Sequence, residues 1–166
     1  MKKFINKIKD ICEKNKNVAM FIDMDGTINE YVIYSEDTVS KQMEDNYCNV
    51  SPIQPVIDVL EEINQISNID LYILSLSKTE KISEEKEIWL KKNVNFIPKT
   101  NWIVLTKENG DYNKENRDMV KPLKMKEKLG QYDHVILLDD DHKILKQSAE
   151  MLKDKADVFH VTSALV

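Results

Sequence analysis

The feature that most constrains the fold is a run of five apolar residues, Val18–Ile22, followed directly by Asp-Met-Asp-Gly-Thr at positions 23–27. Such a run is typical of a strand that is buried on both faces of a parallel sheet. Ligands of these sheets bind at the carboxyl ends of the strands. Because side chains two residues apart share a face of a strand, Asp23 and Asp25 can converge there. Two carboxylates so close repel each other unless a cation or a shared proton lies between them, which points to Mg²⁺.

The composition is that of one soluble domain covering residues 1–166. The chain is 42% hydrophobic, which is enough to enclose a core, and it shows no internal repeat or linker. The formal charge of −5 gives no long-range attraction for nucleic acid, although a local basic patch is compatible with it. Cys12 and Cys48 form no Cys-x-x-Cys pair and predict free thiols in a reducing compartment.

Nothing in the sequence predicts a membrane partner or a stable protein partner. No apolar segment approaches the roughly 20 residues that a membrane span needs. Polar residues also interrupt the segment after the N-terminal Met-Lys-Lys, where a secretory signal would place its apolar region. We therefore expect a cytoplasmic protein.

Five predicted strands alternate with helices along the chain. They are short apolar runs bounded by polar or turn residues, at 18–22, 71–74, 102–106, 135–138 and about 158–161. A strand, a helix and a strand at this spacing form a βαβ unit, which requires parallel strands. The predicted fold class is α/β, with a doubly wound, Rossmann-like parallel sheet of about five strands.

The helix signals lie between these strands. Residues 2–16 carry apolar side chains at helical spacing and predict a helix that covers one face of the sheet. The dipeptides Ser-Pro at 51–52 and Lys-Pro at 121–122 predict the N-termini of two further helices. In another helix the apolar residues at 88–90 are expected to face the core, and a last helix is predicted over 143–152.

Residues 28–50 lack clear periodicity and are predicted to form a flap or minimal cap beside the carboxyl end of the first strand. The segment is too short for an independent domain. Its tyrosines, Tyr31, Tyr34 and Tyr47, are suited to stack on a base or a sugar. Packing of the flap against the body explains the same tyrosines equally well.

Polar residues also follow the later strands of the predicted sheet. Ser75 follows the second strand, Asp139 and Asp140 follow the fourth, and Lys121 lies at a predicted helix start. The carboxyl ends of the strands in a doubly wound sheet meet at one crevice. Carboxylates hold a divalent cation there, while a hydroxyl and an ammonium bind the oxygens of an anion. The set predicts a site for Mg²⁺ together with a phosphate group.

These residues occur in the order of the four motifs of the haloacid dehalogenase superfamily of phosphohydrolases, which the sequence resembles. The Asp-x-Asp-Gly-Thr sequence at 23–27 is similar to the first motif, and Ser75 and Lys121 are similar to the second and third. The pair Asp139-Asp140 is similar to the fourth. The resemblance covers nearly the whole chain and implies a haloacid dehalogenase-like fold with a small insert after the first strand.

Two branches of the superfamily are similar in more detail. Residues 107–121 and 138–140 resemble the phosphatase domain of phage polynucleotide kinase. Residues 103–106 and the acidic pair are similar to 5'(3')-deoxyribonucleotidases. The sequence has no Gly-x-x-x-x-Gly-Lys-Ser/Thr motif, so we expect no kinase half in it.

The resemblance implies a phosphomonoesterase that forms an aspartyl phosphate and depends on Mg²⁺. Asp23 is implied as the nucleophile, and Asp25 as the acid that protonates the leaving oxygen and then activates water. Asp25 acts as an acid only if the site raises its pKa above the value of about 3.9 of a free aspartate. Ser75 and Lys121 are implied to bind the transferred phosphoryl group. The implied metal ligands are the Asp23 carboxylate, the Asp25 backbone carbonyl and the Asp140 carboxylate, with Asp139 nearby.

The implied substrate is a nucleotide or a nucleic acid end that carries a 3'-phosphate. A small-metabolite phosphatase, such as one for sugar phosphates, and a non-catalytic phosphate- or partner-binding protein on the same fold are the alternatives. Phage polynucleotide kinase phosphatases carry an arginine shortly after the second-motif serine, where this chain has Ser77 and Lys78. Lys78 and Arg117, the single arginine of the chain, are the candidates for that positive contact. A response-regulator receiver is a further rival, but its acidic pair comes early in the chain and here the pair comes last.

Overall fold

The computed structural model describes residues 1–31 and 46–166. Five helices lie in these ranges: α1 (Lys2–Lys14), α2 (Gln54–Ile63), α3 (Glu80–Asn93), α4 (Arg117–Lys128) and α5 (His142–Leu152). The five strands are β1 (Val18–Ile22), β2 (Ile69–Ser77), β3 (Trp102–Thr106), β4 (His134–Asp139) and β5 (Ala156–His160). Short 3₁₀ turns cover Tyr47–Asn49, Lys99–Asn101, Lys153–Lys155 and Val161–Leu165.

The strands form one parallel sheet in the order β3-β2-β1-β4-β5. The first strand therefore lies at the centre, and all five of its residues are buried. The chain first adds β2 and β3 on one side of β1, and then crosses over to add β4 and β5 on the other. This reversal creates a crevice beyond the carboxyl ends of β1 and β4, which is where doubly wound sheets bind ligands. The predicted fold class is confirmed.

Helices cover both faces of the sheet, because each face of β1 is apolar. Met20 and Ile22 pack in a core with the apolar faces of α1, α2 and α3. Ala19 and Phe21 point to the opposite face and pack with α4 and α5. Within the described ranges, no helix is long and apolar enough to cross a membrane.

Both predicted Xaa-Pro helix starts were wrong in position. The helix expected at Ser51-Pro52 begins at Gln54, because the preceding backbone is held extended: the Glu30 N–H donates to the Ser51 carbonyl at 2.9 Å. The helix expected to start at Lys121 begins one turn earlier, at Arg117. Lys121 therefore projects from within α4 rather than from its end.

The insert predicted over residues 28–50 is described only at its two ends. Residues 32–45, which include Tyr34, lie outside the described part of the chain. The two ends lie side by side, since Asn29 forms a β-bridge with Pro52 and the Ile53 N–H donates to the Ile28 carbonyl at 2.8 Å. The insert thus leaves and rejoins the body at one point, close to the carboxyl end of β1.

Candidate active site

The crevice at the centre of the sheet gathers three carboxylates from opposite ends of the chain. Carboxylate oxygens of Asp23, Asp139 and Asp140 lie within 4.8 Å of one another. Asp23 directly follows β1, and its backbone N–H donates to the Leu138 carbonyl of β4 at 2.9 Å, which continues the pairing of the two strands. The switch in strand order therefore brings the acidic groups together, as the sequence predicted they would lie.

Lys121 crosses from α4 to this cluster and joins two of its carboxylates. Its Nζ lies 2.6 Å from Asp23 Oδ1 and 2.7 Å from Asp139 Oδ2. The lysine is 2% exposed. Burial by itself lowers the pKa of an ammonium, but the two adjacent carboxylates outweigh it and raise the pKa of Lys121 above its ordinary value. The lysine is therefore charged and neutralises part of a buried acidic pair.

Asp23 has a perturbed acidity in this environment. Burial, together with the nearby charges of Asp139 and Asp25, outweighs the opposing charge of Lys121 and raises the pKa of Asp23 to about 7. A group with this pKa exchanges between carboxyl and carboxylate near neutral pH. A cation in the crevice would favour the carboxylate, which is the form that can act as a nucleophile or a ligand.

The three consecutive aspartates after β4 have different surroundings. Asp139 is fully buried, with one oxygen on Lys121 and the other accepting the Asp141 N–H at 2.8 Å. Asp141 caps α5 by accepting the N–H groups of Lys143 and Ile144, and its second oxygen binds Arg117 at 2.9 Å. Asp140 is half-buried, and burial together with Asp139 raises its pKa. Asp140 is thus the member of the triplet whose carboxylate is left to face the crevice.

The close approach of Gly26 supports a cation site at this point. A Cβ atom on Gly26 would lie 2.5 Å from Asp140 Oδ2, and the residue has a positive φ of 78° that glycine adopts without strain. The glycine lets the loop after β1 pass directly beneath the Asp140 carboxylate. The donor set consists entirely of carboxylate oxygens, which suits a hard divalent cation such as Mg²⁺. The residues that are present therefore fit the ion that the sequence resemblance implies.

Of the two serines near the end of β2, Ser77 and not Ser75 lines the crevice. Ser75 is fully buried, and its Oγ lies 2.9 Å from the Nζ of Lys86. Ser77 is 2% exposed, and its Oγ has no hydrogen-bond partner among the described residues. Its backbone is fixed, because its carbonyl accepts from Tyr112 Oη and from the Lys107 N–H, each at 2.9 Å.

Two side chains, those of Lys86 and Tyr47, contact Asp25, and neither contact was predicted. Lys86 of α3 is 1% exposed and lies 2.6 Å from Asp25 Oδ2. The Tyr47 hydroxyl donates a short hydrogen bond to Asp25 Oδ1. Burial raises the pKa of Asp25, but Lys86 and then Tyr47 outweigh it, so the pKa of Asp25 lies below its ordinary value. The raised pKa that an acid role for Asp25 needs is therefore not a property of the ligand-free protein.

The predicted inward face of α3 did not include Lys86. The apolar residues at 88–90 were expected to face the core, but Ile88 is 59% exposed, whereas Trp89 and Leu90 are buried. The inward face of α3 instead continues through Lys86 towards the crevice. A polar residue on an otherwise apolar helix face is the signal that could have identified it.

The crevice opens into a cleft of about 900 Å³ above the acidic cluster. Basic and aromatic side chains line its wall, among them Lys78, Lys114, Arg117, Tyr31 and Tyr112. Arg117 is committed to Asp118 and Asp141, at 3.1 and 2.9 Å. Because Arg117 is already paired, Lys78 is the remaining candidate for the positive contact that the second-motif arginine would supply.

The sheet order and the acidic switch point define a Rossmann-like α/β domain, and its fold is similar to that of solved haloacid dehalogenase (HAD) domains. The chain is similar to the HAD domain of the effector protein Lem4 from Legionella pneumophila, with a TM-score of 0.52 and 16% identity over 87% of each chain. An inactive mutant of the same domain gives a TM-score of 0.54 and 15% identity, over 87% of this chain and 84% of the other. No family model and no curated protein matches the sequence.

Proposed function

We propose that the protein is a Mg²⁺-dependent phosphomonoesterase that works through an aspartyl phosphate on Asp23. The observation that carries the proposal is the gathering of Asp23, Asp139 and Asp140 around one point, with Lys121 joining two of them. The fold shared with HAD domains supports a hydrolase of the phosphatase type. Phosphoryl transfer depends mainly on positioning and on neutralising the charge of the phosphoryl oxygens, and this site supplies groups for both.

The proposed cation ligands are the carboxylates of Asp23 and Asp140 and the backbone carbonyl of Asp25, with Asp139 next to them. Mg²⁺ bound there would offset the negative charge of the phosphoryl oxygens. Lys121 contributes a second positive charge from the opposite side of Asp23. It keeps that charge near neutral pH, because Asp23 and Asp139 raise its pKa.

The chemical step is a transfer from the substrate oxygen to a carboxylate. A bond forms between Asp23 Oδ and phosphorus while the bond from phosphorus to the leaving oxygen breaks. Asp25 gives a proton to that oxygen, and in the second step takes one from the water that releases phosphate. Lys86 keeps Asp25 ionised in the free protein, so Asp25 takes up its proton from solvent when the negatively charged phosphate binds beside it and raises its pKa.

Ser77 is our proposed hydroxyl contact to the phosphoryl group, in place of Ser75. Its unpartnered buried Oγ lines the cleft, whereas the Ser75 Oγ is occupied by Lys86. Ser77→Ala should raise KM and lower kcat/KM about 10-fold or more, in line with the loss of one hydrogen bond to a charged group. Ser75→Ala should have a smaller effect on KM. A larger effect of Ser75→Ala than of Ser77→Ala would instead assign the phosphoryl contact to Ser75.

We further propose a nucleotide or a nucleic acid end with a 3'-phosphate as the substrate. The cleft is large enough for a nucleotide, and its wall offers tyrosines for stacking and lysines for phosphate contacts.

The test is the release of phosphate, with and without Mg²⁺, from nucleoside 5'- and 3'-monophosphates, 3'-phosphorylated oligonucleotides and sugar phosphates. Asp23→Asn should lower the turnover rate by several orders of magnitude, because a carboxamide is a poor nucleophile. Asp10→Asn is the matched control, since Asp10 is exposed on α1. Binding without turnover in the wild-type protein would favour the non-catalytic alternative, and turnover of sugar phosphates alone would favour a metabolite phosphatase.

A further inference from the structure

Both oxygens of the Asp25 carboxylate are held by side chains from outside the metal cluster. Lys86 Nζ lies 2.6 Å from Oδ2, and the Tyr47 hydroxyl donates to Oδ1. The Asp25 side chain is 27% exposed, whereas Lys86 is 1% exposed. The carboxylate therefore reaches the cleft while its two partners lie behind it.

The position of Lys86 is fixed by three acceptors. Besides Asp25, its ammonium donates to Ser75 Oγ at 2.9 Å and to the Leu76 carbonyl at 2.8 Å. An ammonium has three N–H donors, so all of them are used. Burying a charge is costly unless it is paired and hydrogen-bonded. Because Lys86 is completely buried beside the end of β2, its ammonium is fixed, and it holds the Asp25 carboxylate in one position.

Tyr47 is fixed independently of Lys86. Its backbone N–H donates to Glu85 Oε2 at 2.7 Å, and the amide of Asn29 donates to its hydroxyl oxygen at 2.7 Å. Because that oxygen accepts from Asn29, its own proton is directed to Asp25. The Lys86 ammonium also lies 5.2 Å from the centre of the Tyr47 ring, which joins the two supports by a cation–π contact.

From this geometry we infer that Lys86 and Tyr47 are positioning residues, which hold the Asp25 carboxyl group where it can exchange a proton with the leaving oxygen. The inference rests on the proposed phosphatase function and adds two residues to it. Neither side chain needs to touch the phosphoryl group. They act by removing rotational freedom from Asp25, so that its proton transfer is aligned when the substrate arrives.

Substrates with leaving groups of different basicity distinguish a positioning role of Lys86 and Tyr47 from a purely structural role. An alkoxide leaving group, as in a nucleoside monophosphate, needs a proton from Asp25, whereas 4-nitrophenolate leaves readily without one. In Lys86→Met and Tyr47→Phe, kcat for a nucleoside monophosphate should fall about 100-fold or more. For 4-nitrophenyl phosphate it should fall less than about 10-fold, with KM nearly unchanged for both substrates.

Lys91→Met is the matched control, because Lys91 is exposed on the same helix. Equal losses on both substrates, or no loss on either, would overturn the inference. Tyr47→Phe removes a single hydroxyl and therefore keeps the test decisive if Lys86→Met does not fold.

A crystal structure of each variant supplies a readout that does not need activity. The Asp25 carboxylate should rotate away from its wild-type position in both variants and stay in place in Lys91→Met. An unmoved carboxylate overturns the positioning role even if the variants lose activity. If the wild-type protein hydrolyses no phosphomonoester, the proposed function fails, and the carboxylate positions still decide whether Lys86 and Tyr47 hold Asp25.

Discussion

Replacing Lys121 with methionine should lower the free energy of unfolding more than any other single substitution in the cleft. The substitution keeps the length and the apolar stem of the side chain but removes the ammonium between Asp23 and Asp139, at 2.6 and 2.7 Å. The two carboxylates are 8% and 1% exposed. They would then face each other with little water and no positive partner in contact with both.

The size of the loss follows from this burial. Removing one partner of a buried ion pair costs about 3–5 kcal/mol, because the other charge is left uncompensated. A domain has roughly 5–15 kcal/mol of stability in total, so the free energy of unfolding should fall by about a fifth or more. Lys124→Met is the matched control on the same helix. Lys124 pairs with the 61% exposed Glu127 at 3.0 Å, and such surface pairs contribute about 0.5 kcal/mol or less.

Urea unfolding followed by circular dichroism, with and without Mg²⁺, measures the effect. The pKa of Asp23 is already raised, and loss of Lys121 raises it further, because Lys121 opposes the shift. The loss of stability is therefore smallest near pH 4 and complete once the pH exceeds the raised folded-state pKa of Asp23. Mg²⁺ should stabilise the variant more than the wild type, because the ion replaces the lost positive charge. A loss below about 1 kcal/mol that is independent of pH would refute the reasoning.

Three further outcomes are expected. Gly26→Ala should weaken Mg²⁺ binding about tenfold or more in calorimetry, since its Cβ would lie 2.5 Å from Asp140 Oδ2; unchanged affinity would contradict the close approach. Mg²⁺ binding at pH 7 should release about half a proton, because the pKa of Asp23 is raised to about 7 and the ion favours the carboxylate. Calorimetry in buffers of different ionisation enthalpy counts that proton, and proton uptake would argue against it. Asp141→Ala should cost about 1 kcal/mol through loss of the α5 cap, and an unchanged melting temperature would exclude this.

The sheet was predictable because its signals are local. The five-residue apolar run at 18–22 and the run at 102–106 coincide with β1 and β3. The helix start at 51–52 was wrong because the pairing of Ser51 with Glu30 is a tertiary contact, and tertiary contacts override capping preferences. Lys121 was placed one turn too far towards the helix start for a similar reason, since helix boundaries depend on the loop that precedes them.

The acidic cluster could be anticipated in part, because strand order alone brings the ends of β1 and β4 together. The support of Asp25 was harder to anticipate. Lys86 interrupts the apolar face of α3, between Ile82 and Leu90, but only the packing of the folded chain shows that its ammonium reaches Asp25. The choice between Ser75 and Ser77 also depends on the third dimension. Both follow the same apolar run and lie on the same face of β2, and only their contacts distinguish them: Lys86 binds the Ser75 Oγ, whereas the Ser77 Oγ lines the cleft.

The contact between Lys121 and Asp23 spans 98 positions of the chain. During synthesis the N-terminal residues leave the ribosome long before their partners exist. An emerging polypeptide that ends before α4 carries Asp23 but neither the ammonium of Lys121 nor the acidic pair after β4. The three-carboxylate cluster forms only once β4 and Asp140 have emerged, so fragments that end before β4 should not bind Mg²⁺ at this place.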